Sequence, residues 1–336
     1  RDANAAATVP TLSGLTNLRN LTLSFDVAAL TVPAVTTIAG GSVSLTSGST
    51  VGESGIISTP SLTTTSVGGT TLGSANTVSA FNATNTGGGN VSLTNSGTLI
   101  ISKISNTGGS GSDAVTNTGA ISITGTISAA GGGAVNLTAL GASGSISETG
   151  AGLISTTGAL TTSSVTGQTL SGAGANAIGT FDATNSTSGA ISLTNTATTL
   201  NITRIAQNGT TVTPNITVNN TGAISTSTNP IATAAGNISL TASTTETIGA
   251  PVTAVGAAST VTLASNGFAN TSTITGPGGV SIDGGTGLLN NTGGTITNGG
   301  AAVATAVTLT ANSMALGASP TSGIQAGAGT VTLQQK

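Results

Sequence analysis

A hexad of the form Gly-x-Val/Ile-x-Leu-Thr returns along almost the whole of this chain, and it limits the fold more than any other feature. It stands as GSVSLT from Gly41, GNVSLT from Gly89, GAISIT from Gly119, GAVNLT from Gly133, GAISLT from Gly189 and GNISLT from Gly236. Looser forms follow: STVTL from Ser259, GVSI from Gly279, AVTLT from Ala306 and GTVTL from Gly329. Apolar and hydroxyl side chains alternate within each, and that period of two makes a short strand with one buried face. Leu99-Ile100-Ile101, Ile202 to Ile205 and Ile216 to Val218 read as weaker strands. No apolar pattern at helical spacing is sustained anywhere. Only Asp2 to Thr8, rich in Ala, reads as a turn of helix.

A longer period lies above the short one. Residues 81–95, FNATNTGGGNVSLTN, return as FDATNSTSGAISLTN at 181–195, displaced by 181 − 81 = 100. Leu62 to Val67 matches Leu160 to Val165, and Asn117 to Ser122 matches Asn220 to Ser225, displaced by 98 and 103. The expected organisation is one continuous solenoid over residues 1–336. Its long repeats cover about 62–159 and 160–256, with a truncated copy over about 12–61 and a divergent one over 257–336.

The interior has to be narrow. Four Phe are the only aromatic residues of the 336, and Val, Ile, Leu and Ala supply most of the 36% that is hydrophobic. Gly/Ser/Thr-rich composition also marks linkers. Disordered chains, however, are poor in β-branched residues and rich in charge, whereas only 4% of this chain is charged. An antiparallel sandwich would need its edges protected by charge or Pro, and those residues are scarce. The expected fold is therefore all-β: a right-handed parallel β-helix (β-solenoid) with coils of about 20–25 residues. With ~4.8 Å per coil, some fifteen coils would make a rod of roughly 70 to 80 Å.

The few charges follow the long period. Lys103 corresponds to Arg204, and Glu53, Glu148 and Glu246 fall in similar places. With a repeat of five whole coils, such equivalents would share one face as solvated turn residues that discourage lateral sticking; a periodic binding stripe is the sharper reading. Asp26 with Glu53, or Asp113 with Glu148, are the carboxylate pairs to be weighed for acid–base chemistry. The eight acids are otherwise dispersed, and the missing His and Cys remove Ser-His-Asp and Cys-His triads and the usual zinc and haem ligands. The expectation is no enzyme, with no catalytic, cofactor-binding or metal site residues and no cofactor.

Other motifs have plain structural readings. Gly278 to Gly285 resembles a calcium-binding nonapeptide, but it lacks a Gly and a tandem partner and reads as an Asp283-Gly284 turn. Asn20, Asn82, Asn90, Asn136 and Asn237 head N-x-S/T sequons; Asn90 and Asn237 open strands, and stacked Asn side chains are expected to hydrogen-bond between coils. Phe25, Phe81, Phe181 and Phe268 are expected to fill wide spots of the interior. Thr-x-Thr pairs at Thr211, Thr273 and Thr295 do not read as recurring on successive coils, as a flat ice-binding array would require.

The net charge of −3 with only five Lys and Arg excludes a basic nucleic-acid footprint. No apolar run approaches the ~20 residues needed to span a bilayer. The chain begins at Arg1 without a signal peptide, which reads as a processed product or a fragment.

Strands such as Val307-Thr-Leu-Thr-Ala and Ile324-Gln-Ala-Gly-Ala-Gly-Thr-Val-Thr-Leu resemble the repeat shafts of filamentous-haemagglutinin-like exoproteins, the bacterial adhesins exported by two-partner secretion. Some autotransporter passengers are similar. The resemblance runs over most of the chain as composition and rhythm. It implies a right-handed parallel β-helix at the bacterial outer surface or released from it. That family's amino-terminal secretion domain and a membrane-embedded barrel are not recognisable here. The expected role is structural: the secreted or cell-surface shaft of an adhesin, or the subunit of an extracellular filament. Its partners would be a second copy stacked head to tail through end coils, and a host-cell or surface receptor or glycan. A polysaccharide-active β-helix enzyme and a surface-layer component are the alternatives.

Overall fold

The computed structural model describes residues 3–211, 214–300, 302–317 and 322–336. Every described strand pair is parallel, and no helix occurs among the described residues. Asp2 lies outside them, and the opening stretch makes a single turn closed by Ala7 N–H on the Asn4 carbonyl at 3.0 Å. The chain divides into two compact units, residues 1–165 with 172–175, and residues 166–171 with 176–336. Both units are parallel β-solenoids. No helix among the described residues is long and apolar enough to cross a membrane.

Pairing carries single side chains from rung to rung in columns. In the first unit Leu30, Val51, Thr70, Val91, Asp113, Val135 and Leu160 stack in that order. A second column runs Leu21, Val43, Leu62, Phe81, Ile101, Ile123 and Glu148. In the second unit one column climbs from Gln168 through Ile191, Ile216, Ile238, Val261, Val280 and Val307 to Val331. Two more rise beside it, Leu200, Ile224, Glu246, Phe268, Leu289 and Met314, and Ile205, Ile231, Val252, Ile274, Ile296 and Ile324. A rung takes from 19 residues (Val43 to Leu62, 62 − 43) to 28 (Ile296 to Ile324, 324 − 296), a wider spread than the sequence suggests.

The hexad explains the packing. Its Val/Ile and Leu point inward and are almost wholly buried at Val43, Leu45, Val91, Leu93, Ile191 and Leu193. Each such burial contributes about 1.5–3 kcal/mol before chain entropy is charged against it. Its Gly marks a corner where successive backbones nearly touch. A Cβ on Gly89 would lie 1.8 Å from the Gly68 carbonyl oxygen, on Gly111 2.2 Å from that of Gly89, and on Gly133 2.1 Å from that of Gly111. No other residue fits that stack.

The long repeat is not a whole number of coils, contrary to the five expected. Leu62 and Leu160 are repeat partners, yet they occupy different columns of the first unit. From Leu62 the chain climbs four rungs on one column to Glu148, and Leu160 follows twelve residues later (160 − 148) on the other. A β-bulge starts the shift. Phe81 faces Ile101 and Ala83 faces Ile104, so Ser102 is the extra residue. Above it the strand breaks into Ile121–Ile123 and Thr126–Ala129. Two residues of spacing (81 to 83) become three (101 to 104), four (123 to 127) and six (148 to 154), and one side of the coil opens into two.

Candidate functional site

Polar side chains inside the coils form ladders, and these are the most organised chemistry in the molecule. Asn95 Oδ1 accepts the Val78 N–H at 2.7 Å, while its Nδ2 donates to the Val78 carbonyl at 3.1 Å and to Asn117 Oδ1 at 2.9 Å. Asn117 in turn closes on the Gly97 and Ala120 carbonyls. A hundred residues on, Asn195 repeats this with Ile178 and Asn220. A second ladder runs from Ser66 through Asn85 and Asn106 to Asp113, at 3.1, 2.9 and 3.2 Å. Its counterpart is Asn185 to Gln207 at 2.8 Å. Hydrogen bonding between stacked Asn side chains is thus realised, and it lies in the interior.

Of the three glutamates read as solvated turn residues, two are buried and the third is half-buried. Glu246 is fully buried, Glu148 is 5% exposed, and Glu53 is half-buried. Glu53 and Glu148 each end a strand and accept a backbone N–H from the next rung, from Ser74 and Gly172. Asn76 donates to the same Glu53 oxygen at 3.2 Å. Glu246 begins its strand instead, facing Ile224 below and Phe268 above, so the three do not share one place in the coil. The physical reason is the alternation of the strand: each sits on an inward position. Burial pushes the Glu246 carboxyl well above its ordinary value.

Asp113 fills an apolar position, between Val91 and Val135 of the same column. Burial pushes it up to about 7, partly offset by the bond from Asn106. It does not join Glu148, which stands in the other column. Asp26 follows Asn20–Phe25 at a corner, whereas Glu53 is paired to Val32 of the next strand. Among the described residues no three His, Cys, Asp or Glu gather as a metal-ligand group.

Lys103 and Arg204 both stand just past a bulge. Ser102 and Thr203 are the extra residues, and their hydroxyls donate to the carbonyls of Phe81 and Phe181 at 3.1 and 3.3 Å. Arg204 pairs with Asp182 at 2.7 Å. Asn82 occupies the matching place in the earlier copy, and Lys103 donates to Thr84 Oγ1 at 3.2 Å instead. Asp283 makes the expected turn, accepting Gly285 N–H at 2.8 Å. Burial opposes its charge, but the Lys336 ammonium and that N–H outweigh it and hold its carboxyl below the usual value.

All four Phe are buried, as interior fillers should be. Asn90 and Asn237 precede strands and accept N–H groups of Ser112 and Thr260 from the next rung, both at 2.9 Å. Asn20 accepts the Ser42 hydroxyl at 3.0 Å, and Asn82 and Asn136 are half-buried. One expectation is corrected: Thr273 pairs with Thr295 and Thr275 with Thr297, so Thr-x-Thr does recur on two successive rungs. Rung length varies from coil to coil, so sequence spacing concealed the alignment. Val212 and Thr213 of the motif at Thr211 lie outside the described residues.

Sequence reasoning expected Asn side chains to bond between coils but did not single out the ladder positions, and it weighed Asp113 only as a partner for Glu148. The ladder residues were visible as Asn85/Asn185 and Asn95/Asn195, identical at strand ends of the duplicated stretch. Asp113 was visible as an acid in the Val slot of a hexad, Gly111-Ser-Asp-Ala-Val-Thr. No protein-family model matches this chain, and no curated protein or solved structure does.

Proposed function

We propose that the chain is a structural, secreted or cell-surface β-solenoid of bacterial origin, serving as the shaft of an adhesin or the subunit of an extracellular filament. One observation carries the reading: rungs stacked in register, apolar within and neutral hydroxyl without. In the first unit Ser24, Thr46, Thr65, Thr84, Ser105, Ser128 and Ser155 align on successive rungs. In the second, Thr169, Ser192, Thr217, Ser239, Thr262, Ser281, Thr308 and Thr332 do the same. Such a build gains stability with every rung and needs no reactive group. A surface almost without Lys and Arg also offers few sites to trypsin-like proteases.

Self-association head to tail belongs to the same proposal. Among the described residues the strand Val331–Gln334 is paired on one side only, and its Val331 and Leu333 are 44% and 53% exposed. An open strand edge of this kind templates pairing with a further strand. A receptor or surface glycan would be the partner of the adhesin form. Electron microscopy of the purified chain tests the reading: rods or fibres are expected, and compact round particles would overturn it.

A further inference from the structure

Asp113 and Glu246 occupy places that their columns otherwise give mostly to Val, Ile, Leu or Phe, and no cation answers either. Asp113 is 0% exposed. Its Oδ1 accepts from Asn106 Nδ2 at 3.2 Å, an amide that also serves the Gly89 carbonyl at 3.1 Å. Its Oδ2 has no partner among the described residues. In the other unit Glu246 is likewise 0% exposed, and neither carboxyl oxygen has a partner.

The surroundings supply no compensating charge. Against Asp113 lie Val91–Ser96 and Val135–Leu140, which carry no ionisable side chain, and Leu99–Asn106, which carries only Lys103. That lysine is exposed and donates outward to Thr84. Against Glu246 lie Ala223–Thr226 and Phe268–Asn270, which carry none. A carboxylate so placed is far costlier than the neutral acid, so the group keeps its proton.

We infer that Asp113 and Glu246 are proton-dependent locks, one in each unit: the rungs around each close fully while its carboxyl is neutral and loosen when it ionises. The linkage has a definite sign. Unfolded, the two acids titrate near 3.8 and 4.5; folded, burial raises Asp113 to about 7 and Glu246 well above its ordinary value. Below the unfolded values both states hold the proton and stability is complete. Above them the unfolded chain sheds protons that the folded chain retains, so stability falls as pH rises. For Asp113 the fall levels off beyond about 7; for Glu246 it extends well above the unfolded value. The solenoid is thus tightest in acid, opposite to a fold held by ionised carboxylates.

The test is a set of thermal melts of the full chain from pH 4.5 to 8, followed by circular dichroism, with amide exchange reporting on the two sites. The melting temperature is expected to fall by roughly 5–15 °C across that range. The double variant Asp113→Asn/Glu246→Gln should melt nearly independently of pH, and protection around residues 91, 113 and 135, with the intrinsic base-catalysed exchange rate divided out, should lose its pH dependence. Asp113→Val, which repeats the residue of both neighbouring rungs, serves as a second route to the same flattening at that site. A flat wild-type profile, or a slope that survives in the double variant, would overturn the inference.

Discussion

Asn95 makes four hydrogen bonds with a single side chain, one of them to the Ser96 carbonyl, in a place where water cannot replace them. It is 2% exposed, and it satisfies both the N–H and the carbonyl of Val78 as well as Asn117 of the next rung. At this corner the chain turns out of the regular ladder, and the amide stands in for a missing backbone partner. Asn195 does the same for Ile178, which is why this residue survives in a duplicated stretch that changes elsewhere. Asn95→Ala is expected to cost about 2–4 kcal/mol, since it strands buried groups rather than merely removing a bond. Asn90→Ala removes one exposed bond to Ser112 and should cost less than about 1 kcal/mol. Urea melts of the two variants check the contrast; equal losses would mean that the interior amides act as simple packing.

The strand Leu99–Asn106 shows how a small irregularity redirects an element. Ser102 is the one extra residue against Phe81–Ala83, and from it the spacing widens until one side of the coil has become two. Thr203 stands in the same place in the second unit, where Phe181 and Ala183 face Ile202 and Ile205 and the next rung puts Thr226 and Ile231 above them. The hydroxyl bond to the Phe carbonyl is a minor part of this, because Ser102 is exposed. Ser102→Ala should therefore cost under about 1 kcal/mol. Deletion of Ser102 should cost several times more, because Ile101 and Ile104 would then be forced to the spacing below while the rungs above keep the wider one. Melting temperatures of the two variants decide it. The strands, their parallel stacking and the buried Phe were legible in the sequence because the hexad and its period of two state them directly. The bulge was not, because Ile101 and Ile104, like Ile202 and Ile205, stand three apart and break the period of two, yet only the neighbouring strand shows which residue between them is the extra one. The inward Glu148 and Glu246 were hidden for a related reason: a Glu beside Ser or Thr in a polar stretch looks like a turn, and only strand phase tells in from out.

At the scale of the whole molecule, stability is a sum over rungs, each bonded to its neighbours through the backbone and through its inward column. Cutting the chain by a complete rung should therefore be tolerated, and cutting it by part of one should not. Removing residues 216–237 joins Asn215 to Ile238 and sets Ile238, Glu246 and Val252 above Ile191, Leu200 and Ile205, the places that Ile216, Ile224 and Ile231 leave. The register of all three columns is kept, and the lost rung takes with it the bond from Asn195 to Asn220. Removing only residues 216–226 deletes two column positions, Ile216 and Ile224, and leaves Ile231 to follow Asn215 out of phase, so that side chains destined for one face arrive at another. The 22-residue deletion is expected to keep a β-type circular dichroism spectrum and a cooperative melt at somewhat lower temperature. The 11-residue deletion is expected to lose protection throughout residues 191–275. If both deletions unfold alike, rungs are not the units in which this chain is stabilised, and a tandem repeat of four rungs and a fraction could not have lengthened it without new side-chain chemistry.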